Sequence, residues 1–354
     1  MFVYYVVIGC ICCLVIMDEY VKQRTSNTLK IKPQVFTSIC IVSILALVAG
    51  LRYNVGTDYY NYYAAYDHYK EAPLILNDEP GLKVIARLSS KIYDDPATMM
   101  FIAAVVTVIL MVITILRNSD MFGLSILLYI FLGCWHGCFN GVRQYLAAAV
   151  LFAGHHCIKE KKFLQWCVVV FLASMFHITA IIGVFFYFFP KIKISFKQLF
   201  LSIIGIYVGL QAYEKIFSFI GLLKNDTLDF TGVGSGYLTN SISPFRIAVA
   251  WIPVLFFLVF KKHYDLEDEK KHFYINMSLL HAILMTAASN STYLGRVGIY
   301  TGVYNTIVWP LLIKEVEPRS RKVLLFIMLI CYFLYWRTEA TGPTLINFQW
   351  IFER

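Results

Sequence analysis

The feature that most restricts what this chain can fold into is the recurrence, from end to end, of uncharged apolar runs about as long as a bilayer core is thick. They fall at 2–17, 34–51, 99–116, 121–139, 144–157, 163–176, 178–189, 198–212, 244–260, 273–289, 297–313 and 322–336. Most approach the roughly 20 residues that an α-helix needs to cross the hydrocarbon. Inside lipid the backbone N–H and C=O groups must be satisfied within the segment, which for such runs means helices. Composition agrees: 59% of the residues are hydrophobic and 15% charged, against about a quarter charged in a soluble domain. No stretch is polar enough to form a separate soluble domain. The expectation is an all-α, polytopic transmembrane helical bundle, a single membrane-embedded domain over residues 1–354.

Charge gives the bundle two sides. If every run crosses, the loops 18–33, Arg117, 158–162, 190–197, 261–272 and 314–322 share one face and collect most of the 31 Lys and Arg residues. That face is expected to be cytoplasmic. The net charge of +9 is then explained by loop composition, and nucleic acid is not expected as a partner. The alternation requires the apolar run 163–189 to break at His177 into two short segments, suited to a re-entrant hairpin buried in protein. The outer face then receives both termini, the two longer stretches 52–98 and 213–243, expected to be non-helical, and Arg52, Asp58, Arg143, His177, Arg246 and Arg296. The first run lacks a basic segment before it and reads as a retained span. The nine cysteines lie almost all inside apolar runs, where they act as small hydrophobes. The Cys134-Trp-His136-Gly-Cys138 stretch has only three potential ligands and reads as packing.

Ionisable residues at membrane depth are expensive, so those on the outer face are the candidates for chemistry. The sharpest segment runs from Gly50 through Arg52, Tyr53, Val55, Gly56, Thr57 and Asp58 to Tyr59 and Tyr62. Gly56 permits a tight turn, and Thr57 or Asp58 suits the N-cap of a helix carrying Tyr59, Tyr62, Tyr63, Tyr66 and Tyr69. Flat aromatic faces with hydroxyl tips suit sugar rings, and an interfacial aromatic belt explains the same tyrosines; such a belt does not require Arg52 or Asp58. Arg143 follows Asn140-Gly141-Val142 between two apolar segments, where its guanidinium can fork onto phosphate oxygens or snorkel to head groups. His177, in Phe176-His177-Ile178-Thr179, sits at the proposed break. Arg296 follows Tyr293-Leu294-Gly295, and Arg246 follows Ser243-Pro244-Phe245. The outer segments hold no Asp-x-Asp pair, so no divalent metal is signalled and no metal or cofactor is expected.

The run Gly50-Leu51-Arg52-Tyr53, Val55-Gly56-Thr57-Asp58-Tyr59 and Tyr62 resembles the signature of the EpsG family of Wzy-like polysaccharide polymerases. Arg143-Gln144 with Ala147–Ala149 and Lys159–Lys162, then Phe176-His177-Ile178-Thr179-Ala180, is similar to that family's middle portion. Arg296, with Tyr300 and Pro310 behind it, is similar to its later arginine segment. The resemblance implies a GT-C-like glycosyltransferase of the bacterial cytoplasmic membrane. Its substrates would be oligosaccharide repeats on undecaprenyl pyrophosphate, joined on the outer side, with membrane lipid as surroundings; whether a chain-length regulator binds is left open.

Glycosyl transfer needs a leaving group whose charge is held and an acceptor hydroxyl that loses its proton. Arg52, Arg143 and Arg296, with Arg246 beside them, are expected at the pyrophosphate; Asp58 or His177 is expected as the base; Tyr53, Tyr59 and Tyr62 are expected at the sugars. The rival readings are a lipid-linked glycan transporter, for which repeated halves are missing, and a single-sugar GT-C transferase or acyltransferase.

Overall fold

The computed structural model describes residues 1–24, 33–189, 200, 201, 203–205, 207, 208, 241–264, 269–289, 295–339 and 342–354. The expected basic loop 190–197 and all of the outer segment 213–243 except 241–243 lie outside the described residues. These residues are helical almost throughout, as the apolar runs predict; the described strands are β1 (Arg52–Tyr53) and β2 (Gln349–Trp350), one antiparallel pair with Arg52 opposite Trp350. Among the described residues, two helices are long and apolar enough to cross a membrane, Phe2–Lys22 and Pro96–Asn118. The bent pair Phe122–Phe131 and Cys134–Asn140 meets the same test when taken together.

The chain groups into two compact units, Met1–Val184 with Trp309–Arg354, and Phe185–Val308. The first holds α1 (Phe2–Arg24), α2 (Pro33–Gly50), α3 (Tyr59–Ala64), α4 (Tyr66–Glu71), α5 (Pro80–Ser90), α6 (Pro96–Asn118), α7 (Phe122–Phe131), α8 (Cys134–Asn140), α9 (Val142–Gly154), α10 (His156–Lys159) and α11 (Phe163–Ser174). Its centre is α6, packed between α2 and α9, with α11 against the far side of α9. Asp95 caps α6, accepting from Ala97 N at 2.8 Å, and Pro96 opens it, both favourable at a helix start. Within α6 the hydroxyls of the buried Thr107 and Thr114 donate to the carbonyls of Ala103 and Leu110, so neither is left unsatisfied inside the bundle. Phe2, Val6, Ile16 and Met17 on α1, Leu164, Val168 and Phe171 on α11, and Val323, Phe326 and Ile327 on the helix Pro318–Glu339 are exposed apolar side chains, as a lipid-facing surface requires.

The stretch 52–98, expected as non-helical, is mostly helix: α3, α4, a 3-10 turn Leu76–Asp78 and α5. The reason is visible in α5, where Leu82, Ile85, Ala86 and Ser89 are buried and Val84 and Leu88 are exposed, the spacing of one amphipathic face. The expected break in 163–189 is present: α11 ends at Ser174, His177 is extended (φ −154°, ψ 120°), and a 3-10 turn Ile178–Ile182 follows, then α12 (Gly183–Phe186).

In the second unit, Pro244–Phe260 packs on Glu269–Ala287. Ile242 N donates to Ser289 O at 2.8 Å, and Gly295 lies against the Ile242 side chain.

Candidate functional site

The signature segment 50–58 turns back at the end of α2 and docks on the α8–α9 junction. Gly56 adopts φ +108° with the Phe139 carbonyl pressed against it, a position without room for a Cβ and a backbone conformation that glycine favours. Thr57 N donates to Asn140 Oδ1 at 2.7 Å, and Gly56 N donates to Thr344 O at 3.1 Å. Arg52 sits under this turn. It is 2% exposed; its guanidinium donates to the carbonyls of Ala49, Val55 and Phe139 and lies 4.9 Å from the Phe139 ring centroid. Arg52 was expected at the pyrophosphate; in this position it ties three backbone carbonyls together and presents no open face.

The two middle motifs are brought together by a residue that sequence reasoning missed. Glu79 Oε2 accepts from Arg143 Nη1 at 2.5 Å, Glu79 Oε1 pairs with His177 Nδ1 at 2.8 Å, and Ile178 N donates to the same Oε1 at 2.9 Å. Arg143 comes from the first turn of α9, His177 from the break after α11, and Glu79 from the residue before α5. The docking of α5 on the break explains the meeting. Gly81 N donates to Met175 O at 2.8 Å, and Gly81 packs so closely on Phe176 that a Cβ there would lie 2.5 Å from its ring. Burial works to raise the Glu79 carboxyl, but the hydrogen bond with His177, the Arg143 charge and the Ile178 amide outweigh it and hold the group below its ordinary range. Tyr62 forms one wall, its ring centroid 5.9 Å from the Arg143 guanidinium carbon.

Of the other expected site residues in the first unit, Tyr62 borders the cluster, while Asp58, Tyr53 and Tyr59 meet other groups. Asp58 precedes α3 without capping it through its side chain and approaches only Thr57 Oγ1, at 3.5 Å, among the described residues. Tyr59 and Tyr62 are 1% and 7% exposed and belong to the core between α3, α5, α6 and α9. Tyr53 is half-buried, edge-on to Tyr59 and Tyr63. These rings were expected to stack on sugars; the helix face that carries Tyr59 and Tyr62 is instead packed inward, and Tyr53 on β1 is half-buried against it. Arg246 and Arg296 lie in the second unit, both exposed, in the first turn of Pro244–Phe260 and in a 3-10 turn Arg296–Gly298.

The first unit separates its charges along α6. Near its start lie Asp95, which pairs with Arg354 at 2.7 Å, and the Glu79 cluster; at its end Asn118 accepts from Lys159 Nζ at 2.8 Å, and Asp120 pairs with Lys314 at 3.3 Å. A 23-residue helix sets these ends about 35 Å apart.

The partly buried carboxylate, imidazole and guanidinium can accept a proton and hold an anion side by side. The model of one protein family, described as the EpsG family, matches residues 35–351, which takes in every residue of this cluster. No curated protein and no solved structure matches the chain.

Proposed function

Because the chain belongs to the EpsG family, which is associated with polysaccharide biosynthesis, we propose that it is a Wzy-type polymerase joining undecaprenyl-pyrophosphate-linked repeats on the outer face of the bacterial cytoplasmic membrane. The observation that carries this reading is the Arg143–Glu79–His177 cluster, at the opposite end of α6 from the Lys159 and Lys314 loops. Basic loops favour the cytoplasm, which supports an outer position for the cluster, the side on which this reading has lipid-linked repeats joined.

In this mechanism the acceptor hydroxyl attacks the anomeric carbon of the growing chain. A new C–O bond forms, the bond to the lipid pyrophosphate breaks, and its electron pair leaves with the phosphate. His177 takes the hydroxyl proton, and Arg143 holds the developing phosphate charge. Arg52 supports the segment that frames the site and takes no part in the transfer. Asp58, without a link to the cluster, is set behind His177 as the base.

The test is Arg143→Gln and His177→Ala in a strain making a long glycan. Each should abolish long polymer and accumulate single-repeat product while the protein remains in the membrane. For Arg143 the fall in rate should be on the order of 10²–10³. Unchanged polymer length in both variants would sink the proposal. Mass analysis of the product separates added repeats from single sugars or acyl groups.

A further inference from the structure

The geometry points to Glu79 as the positioning residue of this site: its carboxylate fixes His177 with the proton on Nδ1, leaves Nε2 as the proton acceptor, and holds Arg143 beside it. The inference rests on reading the site as a glycosyl-transfer centre, and it assigns the group on which that chemistry turns.

Glu79 occupies a backbone conformation that an L residue avoids, with φ 45° and ψ 60°. The following Pro80 makes this harder, since a residue before proline is pushed towards extended conformations. A residue held in such a region needs surroundings that over-determine it. Helix capping does not supply the reason. Glu79 stands at the N-cap of α5, yet its side chain caps nothing there; it turns away, and all three of its partners come from α9 and from the break after α11. The carboxylate is 14% exposed, and both oxygens are engaged.

The donors fix the chemistry. An ionised carboxylate only accepts hydrogen bonds, so the His177 nitrogen facing Oε1 must carry its proton. The other ring nitrogen then has its lone pair available, and a negative charge behind the ring stabilises the imidazolium that forms when the acceptor hydroxyl gives up its proton. An orienting carboxylate serves a histidine base in the same way in hydrolytic triads. Arg143 uses Nη1 on Oε2, so one carboxylate sets the spacing between base and anion holder. Loss of Glu79 should therefore disturb proton transfer and leaving-group stabilisation together.

Two substitutions test this in the full chain in membranes. Glu79→Gly suits the left-handed backbone, removes the carboxylate and leaves space for a small one. Polymer formation should fall on the order of 10²–10⁴-fold and recover several-fold with added formate. Glu79→Gln keeps an acceptor oxygen for His177 and Ile178 but turns a donor towards Arg143, and should lose activity without formate rescue. Nitrogen NMR of 15N-histidine-labelled protein, with the His177 signal assigned by its loss in His177→Ala, should show Nδ1–H in the wild type, a changed tautomer in Glu79→Gly, and its return with formate. A purely structural role would leave formate without effect. Wild-type activity in Glu79→Gly, or an Nε2–H tautomer in the wild type, overturns the inference. If the tautomer follows Glu79 as described but the wild-type protein makes no polymer from lipid-linked repeats, the polymerase reading falls and the positioning role stands.

Discussion

Arg52 and Arg143 have the same side chain in opposite circumstances, and their substitutions should separate fold from chemistry. Arg52→Gln leaves up to three buried carbonyls, those of Ala49, Val55 and Phe139, without their charged donor. Removing one side of a buried charged hydrogen-bond set costs about 2–4 kcal/mol, so thermal unfolding in detergent and the amount of protein in the membrane should both drop. Arg143→Gln, with its side chain 34% exposed, should lower both by less, because Glu79 keeps its bonds to His177 and Ile178. The sequence marks both arginines for the same reason, charge beside apolar runs, and burial alone divides their roles. Glu79 carries no comparable signal: it lies in an ordinary Asn-Asp-Glu-Pro loop, 64 and 98 residues from its partners. Its depressed carboxyl gives a further expectation. Because the folded value lies below the unfolded one, its stabilising contribution is complete above the unfolded carboxyl range, near ~4.3, and is lost as pH falls through the depressed value. The melting-temperature gap between wild type and Glu79→Gln should hold down to about pH 5 and narrow as pH falls further, through the depressed value.

At the scale of elements, the signature turn depends on the far end of the chain. β1 pairs with β2, Ile351 N donates to Leu51 O at 2.8 Å, and Gly56 N donates to Thr344 O. Arg354 pairs with Asp95, the residue that also caps α6. Ile351→Pro removes one of these donors and forces its φ, which should destabilise the clamp by about 1–3 kcal/mol. Hydrogen exchange should then speed up at the amides of residues 51–58 and stay unchanged in α6; uniform protection would exclude the clamp. Nothing in a two-residue strand is periodic enough to be read ahead of the fold, so this pairing is invisible in the sequence. The face of α5 was legible, in the spacing of Leu82, Ile85, Ala86 and Ser89, but it lies between charged residues in a stretch that otherwise reads as loop. The break at His177 was legible for a different reason: loop charges alternate correctly only if the run 163–189 is interrupted.

At the scale of the molecule, the first unit is organised by α6 and α9, which pack side by side and together set how far the basic loops stand from the Glu79 cluster. Lys159 and Lys314 are held near the end of α6 by Asn118 and Asp120, and a lysine ammonium is costly to drag through hydrocarbon. The cost of moving those lysines is what makes the proposed orientation, with the lysine-rich end in the cytoplasm, the expected one. Sidedness is thus a property of the whole unit, and in the proposed mechanism reversing it would carry Arg143, Glu79 and His177 away from the face where their substrate is expected. Single cysteines at Asp67 on α4 and Lys161 after α10, in a background freed of the native thiols, should report this. Asp67 is exposed at the cluster end and Lys161 is exposed beside Lys159. A membrane-impermeant maleimide should label Asp67→Cys in intact cells and Lys161→Cys only after permeabilisation. The reverse pattern would place the cluster in the cytoplasm, where the same three side chains would face nucleotide-sugar donors in place of an exported lipid-linked glycan, and the polymerase mechanism would have no substrate to act on.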